Sequence, residues 1–468
     1  MLLFMLFVPF FSYPQFSSPS YRAEMGTLLH TGTQKPFWMI SNQQGKYLPE
    51  HSTVFGSFYL GSDLYSEEEA YFGRQQDTAT PFHVAYGLEA FNRYNGTYDI
   101  LLNQYFAGIS YWYFNLRVGA RSQTFGNQWD PLSSGSLLYS GNARPMPKIA
   151  VSSDYIPVPF SRGYVEFKGY LSHGWFEEDR YTASPYLHHK NVYVRVGGEL
   201  PVHAHYGFHH YAMWGGVSPE YGNIGSDLDS YIRVFMVQSG ESIQSEVLNR
   251  YGNHLGSRNF GLDYRGKNFS LSLYYQTLFE DNSGKAWRNI KDGLWGAGFH
   301  NHAEKALLQH ATYEFIHTTD QSGRAHQIGD SIVGGNDNYF NNYLYLSGWS
   351  YHRYTLGTPL ITSPVMNDNG SIRMQNNKVI AHHMGIDGWL NDSFYYRSLI
   401  TWSLNYGTNR DSFKPEREEL SLLVEVNYLM GEKRQWMLKG KLAGDLGEMY
   451  GRNVGVYLGI QKCGAFDF

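Results

Sequence analysis

Residues 260–276 read FGLDYRGKNFSLSLYYQ, and their pattern of apolar and polar residues indicates the fold class. Large apolar side chains occupy every second position on both sides of the pair Gly266-Lys267. A period of two is that of a β-strand with one apolar face. A glycine beside a polar residue, between two such runs, is typical of a hairpin. The stretch therefore predicts two antiparallel strands joined by a tight turn.

The same pattern recurs along the chain from about residue 85. Asn95-Gly96 separates two alternating runs and predicts a hairpin with a type I′ turn. Alternation returns at 420–430 and again at 454–468, whereas no helical period persists for more than three turns. The chain is therefore predicted to be all-β.

Composition excludes several classes of protein. Charged residues and aromatic residues each make up 17% of the 468 residues, whereas an ordinary soluble domain is about a quarter charged. An isoelectric point of 6.4 supplies no basic surface for nucleic acid. The single cysteine, Cys463, excludes a disulfide framework. Mean hydropathy is −0.43 and no apolar run is long enough for a transmembrane helix, but membrane strands of alternating polarity remain compatible with it.

Connection lengths separate a membrane barrel from a soluble sandwich. Backwards from the C terminus, the sequence predicts long and short connections in alternation over nine steps: a loop of about ten residues, then 431–434, 406–419, 391–392, 318–377, 300–304, 280–292, 266–267 and 239–258. Outer-membrane barrels have short periplasmic turns and long extracellular loops. The terminal Phe468 and the aromatic run Tyr105–Phe114, which suits an interfacial girdle, favour the same class.

These observations predict a transmembrane antiparallel β-barrel of roughly 16 to 18 strands, located in the outer membrane. The apolar residues 1–20 are expected to be a signal peptide. Residues 21–84 are expected to be an N-terminal periplasmic or first-strand region, and residues 85–468 the barrel itself. Val424 and Leu271 are predicted to face lipid, so that arginine there is costly, whereas Glu425→Gln and Ser272→Asn on the lumen face are expected to cost little.

Four residue strings, in order, resemble the capsule-assembly Wzi family. They are Ser140–Pro147 (SGNARPMP), Met213–Gly216 (MWGG), Leu278–Asp281 (LFED), and 348–360 (GWSYHRYTLGTPL). The resemblance implies an 18-stranded outer-membrane barrel that acts as a lectin for capsular polysaccharide, with no enzymatic role and no cofactor. Some members carry a helical bundle that closes the periplasmic end. Tyr21–Gly61 shows little helical periodicity, so we expect that plug to be absent or replaced.

The candidate glycan-binding residues lie in predicted extracellular loops. Aromatic rings can pack on the apolar faces of sugars, while amides, imidazole and guanidinium can bond hydroxyls or uronic carboxylates. The candidates are Trp287, Arg288, Asn341, Asn342, Trp349, Tyr351, His352, Arg353 and Tyr354. Two further motifs are predicted to be structural: Arg144, Pro145 and Met146 fix a loop, with Arg144 reaching a carboxylate across the lumen, and Trp214, Gly215 and Gly216 form a bend.

Other chemistries are weighed and not favoured. Histidine clusters at 188–189, 203–210, 300–302 and 382–383 suggest a metal, but no carboxylate or cysteine completes a set, so none is predicted. Gly-x-Ser-x-Gly is missing from the sequence, although a Ser–His pair on adjacent strands stays possible. The runs Glu67–Glu69 and Glu177–Asp179 are interpreted as solvated charge.

The sequence thus favours a monomeric barrel that contacts outer-membrane lipid, binds capsular or other surface polysaccharide, and helps to attach or assemble the capsule. The main alternative is an outer-membrane channel for diffusion of sugars or oligosaccharides, because the expected plug is missing. An outer-membrane hydrolase is a third possibility.

Overall fold

The computed structural model describes residues 15–16, 19–62, 82–126, 130–238, 251–280, 289–323, 326–328, 331–333, 337–431 and 435–466. Most of the predicted signal peptide, the Glu67–Glu69 run, Trp287, Arg288 and Phe468 lie outside these residues. Among the described residues, no helix has the length and the hydropathy needed to cross a membrane.

The described strands form one closed antiparallel barrel of 18 strands, as predicted. Strand β1 pairs with β18 in the register Ser20 to Ala465, which closes the sheet. In chain order the strands are β1 (Ser20–His30), β2 (Thr53–Ser62), β3 (Phe82–Tyr94), β4 (Tyr98–Tyr111), β5 (Phe114–Ala120), β6 (Pro147–Ser153), β7 (Val165–Trp175), β8 (Tyr186–Val196), β9 (Val202–Trp214), β10 (Asn253–Arg265), β11 (Phe269–Gln276), β12 (Gly293–Asn301), β13 (His310–His317), β14 (Val379–Trp389), β15 (Phe394–Gly407), β16 (Ser412–Met430), β17 (Trp436–Gly447) and β18 (Arg452–Ala465).

Shorter elements lie between or beside these strands. Two α-helices are described, α1 (Phe37–Ile40) and α2 (Leu228–Met236), together with 3-10 turns at Asp130–Leu132 and Pro364–Met366. Two two-residue pieces join the barrel sheet, Gln15–Phe16 and Ile156–Pro157. Three short hairpins pair Val217–Ser218 with Gly222–Asn223, His326–Ile328 with Ser331–Val333, and Ser350–Tyr351 with Tyr354–Thr355.

The barrel begins earlier in the chain than the sequence predicts. Strands β1 and β2 and the start of β3 precede residue 85, so the barrel boundary predicted there falls too late. Alternation in these strands is blurred, because several positions on both faces of β1 are half-buried. Tyr21–Gly61, which showed little helical periodicity, forms β1, β2 and the connection 31–52.

The two faces of the wall follow the predicted pleat. Val424 and Leu271 are exposed on the outer face, whereas Glu425 is buried in the lumen. Outward apolar side chains recur around the barrel and form a continuous band, which we call the lipid belt. On β8 the belt consists of Val192, Val194 and Val196.

The predicted alternation of connection lengths is only partly correct. The start of β1 and the end of β18 lie on the same side of the barrel. That side also carries the short connections 197–201, 266–268, 390–393 and 431–435, so it is the periplasmic end. The extracellular end carries the long connections 31–52, 121–146, 215–252 and 318–378. However, 408–411 and 448–451 at that end are also short. The predicted loop 406–419 is wrong because β16 continues down to Ser412.

The predicted hairpin at Asn95-Gly96 forms, but with a different turn. Tyr94 pairs with Tyr98, and residues 95–97 connect them. Gly96 has φ +98°, while Asn95 is not among the residues of positive φ. A type I′ turn requires positive φ at both central residues, so the predicted turn type is wrong.

Candidate functional site

The lumen is filled by three extracellular connections that fold inward. We call the described parts of 31–52, 121–146 and 337–377 the plug. The fully buried side chains Leu132, Leu137, Tyr339, Tyr345 and Trp349 belong to it. The plug is a compact hydrophobic core inside the barrel.

Polar contacts attach the plug to the barrel wall. Glu314 on β13 accepts hydrogen bonds from Ser133 Oγ and Ser134 N, each at 2.7 Å. His383 Nε2 on β14 contacts the Leu132 carbonyl at 2.7 Å. Trp38 Nε1 in α1 donates to Thr401 Oγ1 at 3.1 Å. These buried contacts satisfy the polar groups that a lumen core would otherwise leave unpaired.

Trp349 is part of this core and is not a sugar platform. Its side chain is 0% exposed, and its Nε1 donates to the Leu138 carbonyl at 2.7 Å. Its ring packs edge-on against Tyr211 of the wall at 5.6 Å between centroids. The predicted role in glycan contact is therefore wrong for Trp349. An aromatic loop residue can serve either purpose, and the sequence carried no signal for the inward direction of the loop.

The neighbouring candidates divide in the same way. Tyr354 is buried and its hydroxyl donates to the Tyr47 carbonyl at 2.5 Å, and Tyr351 is buried against Phe176. His352 and Arg353, with φ +46° and +67°, form the turn between them. His352 is half-buried, so Arg353 is the only one of these four with an exposed side chain. Glycan contact is excluded for both tyrosines by their burial.

A second extracellular connection fixes this hairpin in place. Arg180 Nη1 and Nη2 donate to the carbonyls of Ser350 and Gly348, each at 3.0 Å. Glu177 Oε1 accepts from the backbone N–H of His352 at 2.9 Å. Both side chains are at most 5% exposed. The interpretation of Glu177–Asp179 as solvated charge is therefore wrong for Glu177. The sequence alone did not show that Glu177 is buried beside Arg180.

The plug leaves an open cavity of about 530 Å³ at the extracellular end. Two candidates from the sequence line it, Asn341 and Asn342. The other lining residues were missed: Glu220, Asn338, Tyr343, Leu346, Asn369, Ser371, Arg373, Met374, Gln375, Thr408, Arg410 and Asp411. They come from three separate connections, so no local motif announces them.

The two asparagines shape the cavity more than they face it. Asn341 Nδ2 donates to the Met374 carbonyl, and its Oδ1 accepts from Met374 N, both at 3.0 Å. Asn342 Oδ1 accepts from Leu344 N at 2.8 Å and its Nδ2 donates to Asn253 Oδ1 at 3.1 Å. Most of their hydrogen-bonding capacity is used within the protein. They hold the cavity rim in one conformation.

The groups that face the cavity opening are larger and charged. Tyr343 is 46% exposed, and Arg373 and Arg410 are both exposed. Glu220 and Asp411 bring carboxylates to the same rim. An aromatic face beside two guanidinium groups can pack on a sugar ring and bond its hydroxyl or carboxylate oxygens.

The two structural motifs take buried positions. Pro145 and Met146 are buried, and β6 begins immediately after them. Arg144 forms no ion pair with a described residue, so the predicted carboxylate partner is not found there; burial lowers the pKa of its guanidinium. Gly215 and Gly216 have φ +66° and +91°, and a side chain at Gly216 would meet the Ala183 carbonyl at 2.7 Å. These values agree with the predicted bend.

The described residues offer no metal centre. Within the described ranges, no three His, Cys, Asp or Glu side chains are grouped so as to hold a metal ion. Adjacent histidines on a strand point to opposite faces, as His188 and His189 do on β8. His189 Nε2 contacts His209 Nδ1 at 3.1 Å in the lumen, whereas His188 lies on the outer face.

One Ser–His pair does occur, at the periplasmic end. Ser270 Oγ and His302 Nε2 lie 2.8 Å apart. His302 Nδ1 contacts the backbone carbonyl of Lys267 at 3.2 Å. In a catalytic triad a carboxylate or amide side chain orients this nitrogen. The pair is therefore a hydrogen bond between β11 and the connection that follows β12, and it gives little support to a hydrolase.

Comparisons with known proteins give one matching family model and a solved structure with the same barrel fold. The family model described as capsule assembly protein Wzi matches residues 25–361. Among solved structures, the chain is similar to Wzi, an Escherichia coli outer-membrane protein involved in group 1 capsule assembly and a carbohydrate-binding β-barrel, with 12% identity, TM-score 0.58, and coverage of 96% of this chain and 85% of that one. Pseudomonas aeruginosa OccK5 has 10% identity, TM-score 0.48, and coverage of 96% and 98%. No curated protein sequence matches the chain.

Proposed function

The chain belongs to the capsule assembly protein Wzi family and is an outer-membrane β-barrel. We propose that it binds capsular or other surface polysaccharide in the cavity at its extracellular end. Binding there helps to attach or assemble the capsule at the cell surface. The protein acts as a monomer and without catalysis, and the activity requires no cofactor.

The observation that carries the proposal is the open cavity itself. Its volume of about 530 Å³ lies within the range of small-ligand sites, roughly 300–1,000 Å³. It is the right size for a short stretch of a polysaccharide. Because the rim asparagines are held by backbone contacts, the cavity is formed before a ligand arrives, and little ordering cost opposes binding.

The exposed groups suit a glycan that carries both hydroxyl and carboxylate groups, because two arginines and two carboxylates line the cavity. Arg373 and Arg410 both line the cavity, and a guanidinium pairs bidentately with a carboxylate such as that of a uronic acid. Tyr343 supplies an aromatic face beside them. A polymer engages many copies of the protein on one cell, so a weak site can still retain it through avidity.

The plug weighs against the diffusion channel. A porin-type lumen is polar and filled with water, whereas the described plug places fully buried aromatic and aliphatic side chains across this lumen. The plug therefore favours a binding protein, in which the filled lumen supports the extracellular cavity, over a channel.

The test is binding of purified barrel to the capsule of its own host. Tyr343→Ala and the double variant Arg373→Ala, Arg410→Ala should each weaken binding at least several-fold. Arg353→Ala is the matched control, because it removes an exposed arginine of the plug that does not line the cavity. All variants should keep the heat-modifiable migration of a folded barrel.

Cells would provide the second readout. Loss of the cavity groups should move capsule from the cell surface to the medium while total capsule stays constant. Unchanged binding in all cavity variants would refute the site, and a fall in total capsule with none released would point to export or synthesis instead.

A further inference from the structure

A helix lies outside the barrel, against its wall, at the extracellular end. Helix α2 belongs to the connection 215–252 and is stabilised at both ends. Asp227 Oδ1 accepts from Ser230 N at 2.8 Å at its N terminus. At its C terminus Val237 is left-handed, and Lys190 Nζ donates to the Phe235 carbonyl.

The described ring and cation contacts of α2 with the wall are made with outward-facing residues. On β8, His188 and Lys190 share the face of Val192, Val194 and Val196, which are exposed in the lipid belt. Two residues of the neighbouring strands lie on the same outer face. Trp214 on β9 is opposite Tyr186, and His173 on β7 is opposite His188. Tyr231 packs on Trp214 at 5.6 Å and on His188 at the same distance.

Burial confirms that α2 covers this patch of wall. His188 is 0% exposed and Trp214 is 2% exposed, although both point away from the lumen. Neighbouring positions on the same face without a helix above them, such as Val192, are 47% exposed. Outward histidine and tryptophan at this height match the girdle that flanks an apolar belt.

The helix descends along the wall towards the lipid belt. Tyr231 contacts Trp214 at the extracellular end of the wall, whereas Phe235 contacts Lys190, with the Lys190 Nζ 4.0 Å from the Phe235 ring centroid. Tyr186, opposite Trp214, lies four residues from Lys190 on β8, or about 13 Å at a strand rise of 3.3 Å per residue. The next outward residue after Lys190 is Val192, where the lipid belt begins.

The free face of α2 is apolar. Leu228, Ile232 and Met236 follow one another at intervals of four residues and are 73%, 47% and 59% exposed. An interval of four places them on one stripe of the helix. The polar edge consists of Asp229 and Arg233, which form an ion pair at 2.7 Å. A helix with an apolar stripe and a charged edge is the form that lies in a membrane interface.

We propose that the stripe of Leu228, Ile232 and Met236 is embedded in the acyl chains of the outer leaflet, so that α2 is an interfacial helix continuous with the lipid belt. The occupant is lipid because the stripe adjoins the belt, which already faces lipid. Since the same connection supplies Glu220 to the cavity rim, lipid contact also sets the height of that rim above the membrane.

Fluorescence quenching in vesicles tests the proposal on the full-length barrel. In a Cys463→Ser background, a fluorophore is placed on Ile232→Cys or Met236→Cys, and the protein is reconstituted in phosphatidylcholine–phosphatidylglycerol vesicles. Val192→Cys is the control for lipid and Tyr221→Cys, exposed in the same connection, is the control for water. Acyl-brominated lipid should quench positions 236 and 232 as it quenches 192, and aqueous iodide should quench only 221.

Two outcomes would overturn the proposal. One is quenching by iodide at 232 and 236 equal to that at 221. The other is a lipid-independent disulfide between two copies of the Ile232→Cys protein, which would assign the stripe to a second copy. If the cysteine variants fail to fold, a photoactivatable lipid label on the unmodified protein replaces them, and absence of label on the 228–236 peptide then refutes the proposal.

Discussion

At the scale of single residues, Trp349 shows what the plug demands of a side chain. Trp349→Ala should destabilise the plug by about 3–5 kcal/mol, because it empties a core position and leaves the Leu138 carbonyl without its donor. Limited proteolysis should then cut the plug while the barrel keeps its heat-modifiable migration. Arg353→Ala, exposed on the same hairpin, is the control and should leave protease resistance intact. Equal resistance in both variants would mean that the plug does not depend on this core.

The partly buried position of His352 predicts that the stability of the plug depends on pH. Burial, and after it the charge of Arg144, lowers the pKa of His352 to about 4; Arg180 acts in the same direction and Asp179 against it. A free histidine titrates near 6.5, so between pH 6.5 and 4 an opened plug binds a proton that the packed plug does not. Plug stability from this group is therefore lost as pH falls through that window.

The measurement compares protease cleavage of the plug at pH 7.5 and at pH 5. Wild type should be cut faster at pH 5, and His352→Asn, which also tolerates the positive φ at this turn, should show a smaller difference. Glu177 faces the same turn, and burial raises the pKa of its carboxyl, which works in the opposite direction. The prediction therefore concerns the difference between the two proteins. An identical pH response in both would contradict it.

Glu425 marks the limit of a sequence pattern at this scale. The pattern places it correctly on the lumen face, but two ion pairs argue against the expectation that Glu425→Gln costs little. Its carboxylate accepts from Arg397 Nη2 at 2.6 Å and lies 3.5 Å from Lys441 Nζ. Removing the charge would leave two half-buried cations without this counter-ion, which is a destabilising change. A period of two tells which face a residue occupies and nothing about its partners across three strands.

At the scale of the strand, the two faces should respond differently to charge. Val424→Arg and Leu271→Arg each place a cation on the exposed outer face of β16 or β11, and should cost about 2–4 kcal/mol near the midplane. Ser272→Asn is the control on the lumen face and should cost little. Unfolding of the barrel in liposomes by denaturant measures all three. Similar losses at 271 and 272 would show that the pleat has been assigned to the wrong face.

The strands also show why the sequence located them unevenly. Within the membrane, a polar lumen face on one side and lipid on the other favour alternation, and the hairpin at 266–268 was predicted from it. Residues 412–417 read SFKPER and form strand all the same. They continue β16 at its extracellular end, where both faces are largely exposed and either can be polar. The predicted loop 406–419 failed for that reason.

At the scale of the whole molecule, the plug determines whether solutes pass. The intact protein should give no stable open channels in planar bilayers, since a packed core fills the described lumen. Replacing residues 338–376 by a short Gly-Ser linker should open a conducting pore. The ends of that segment are close, because Asn377 Nδ2 donates to Asn338 Oδ1 at 2.7 Å, so the linker need not distort the barrel. Conductance by the intact protein would revive the diffusion channel.

The closed barrel of 18 strands could be predicted from the sequence, whereas the binding site mostly could not. Alternation is a local property, and each strand reveals it separately. The cavity depends on which way the long connections fold, and that choice is made by contacts between distant segments, such as the hydrogen bond from Asn342 to Asn253. Asn341 and Asn342 were found because they lie in the longest connection. Trp349 was misassigned on the same evidence.

The pairing of Ser20 with Ala465 places the seam of the barrel between the first strand and the last. The plug segment 121–146, by contrast, is anchored to Glu314 and His383, on strands that follow it in the chain. Until those strands are in place, the leucines of this segment have no wall to pack against, because the lumen is not yet enclosed. This geometry predicts an order of assembly. We expect insertion of the sheet to come first, closure of the seam to follow, and the proposed glycan-binding surface to be completed last, so that a barrel caught before the final step would carry every strand and bind no sugar.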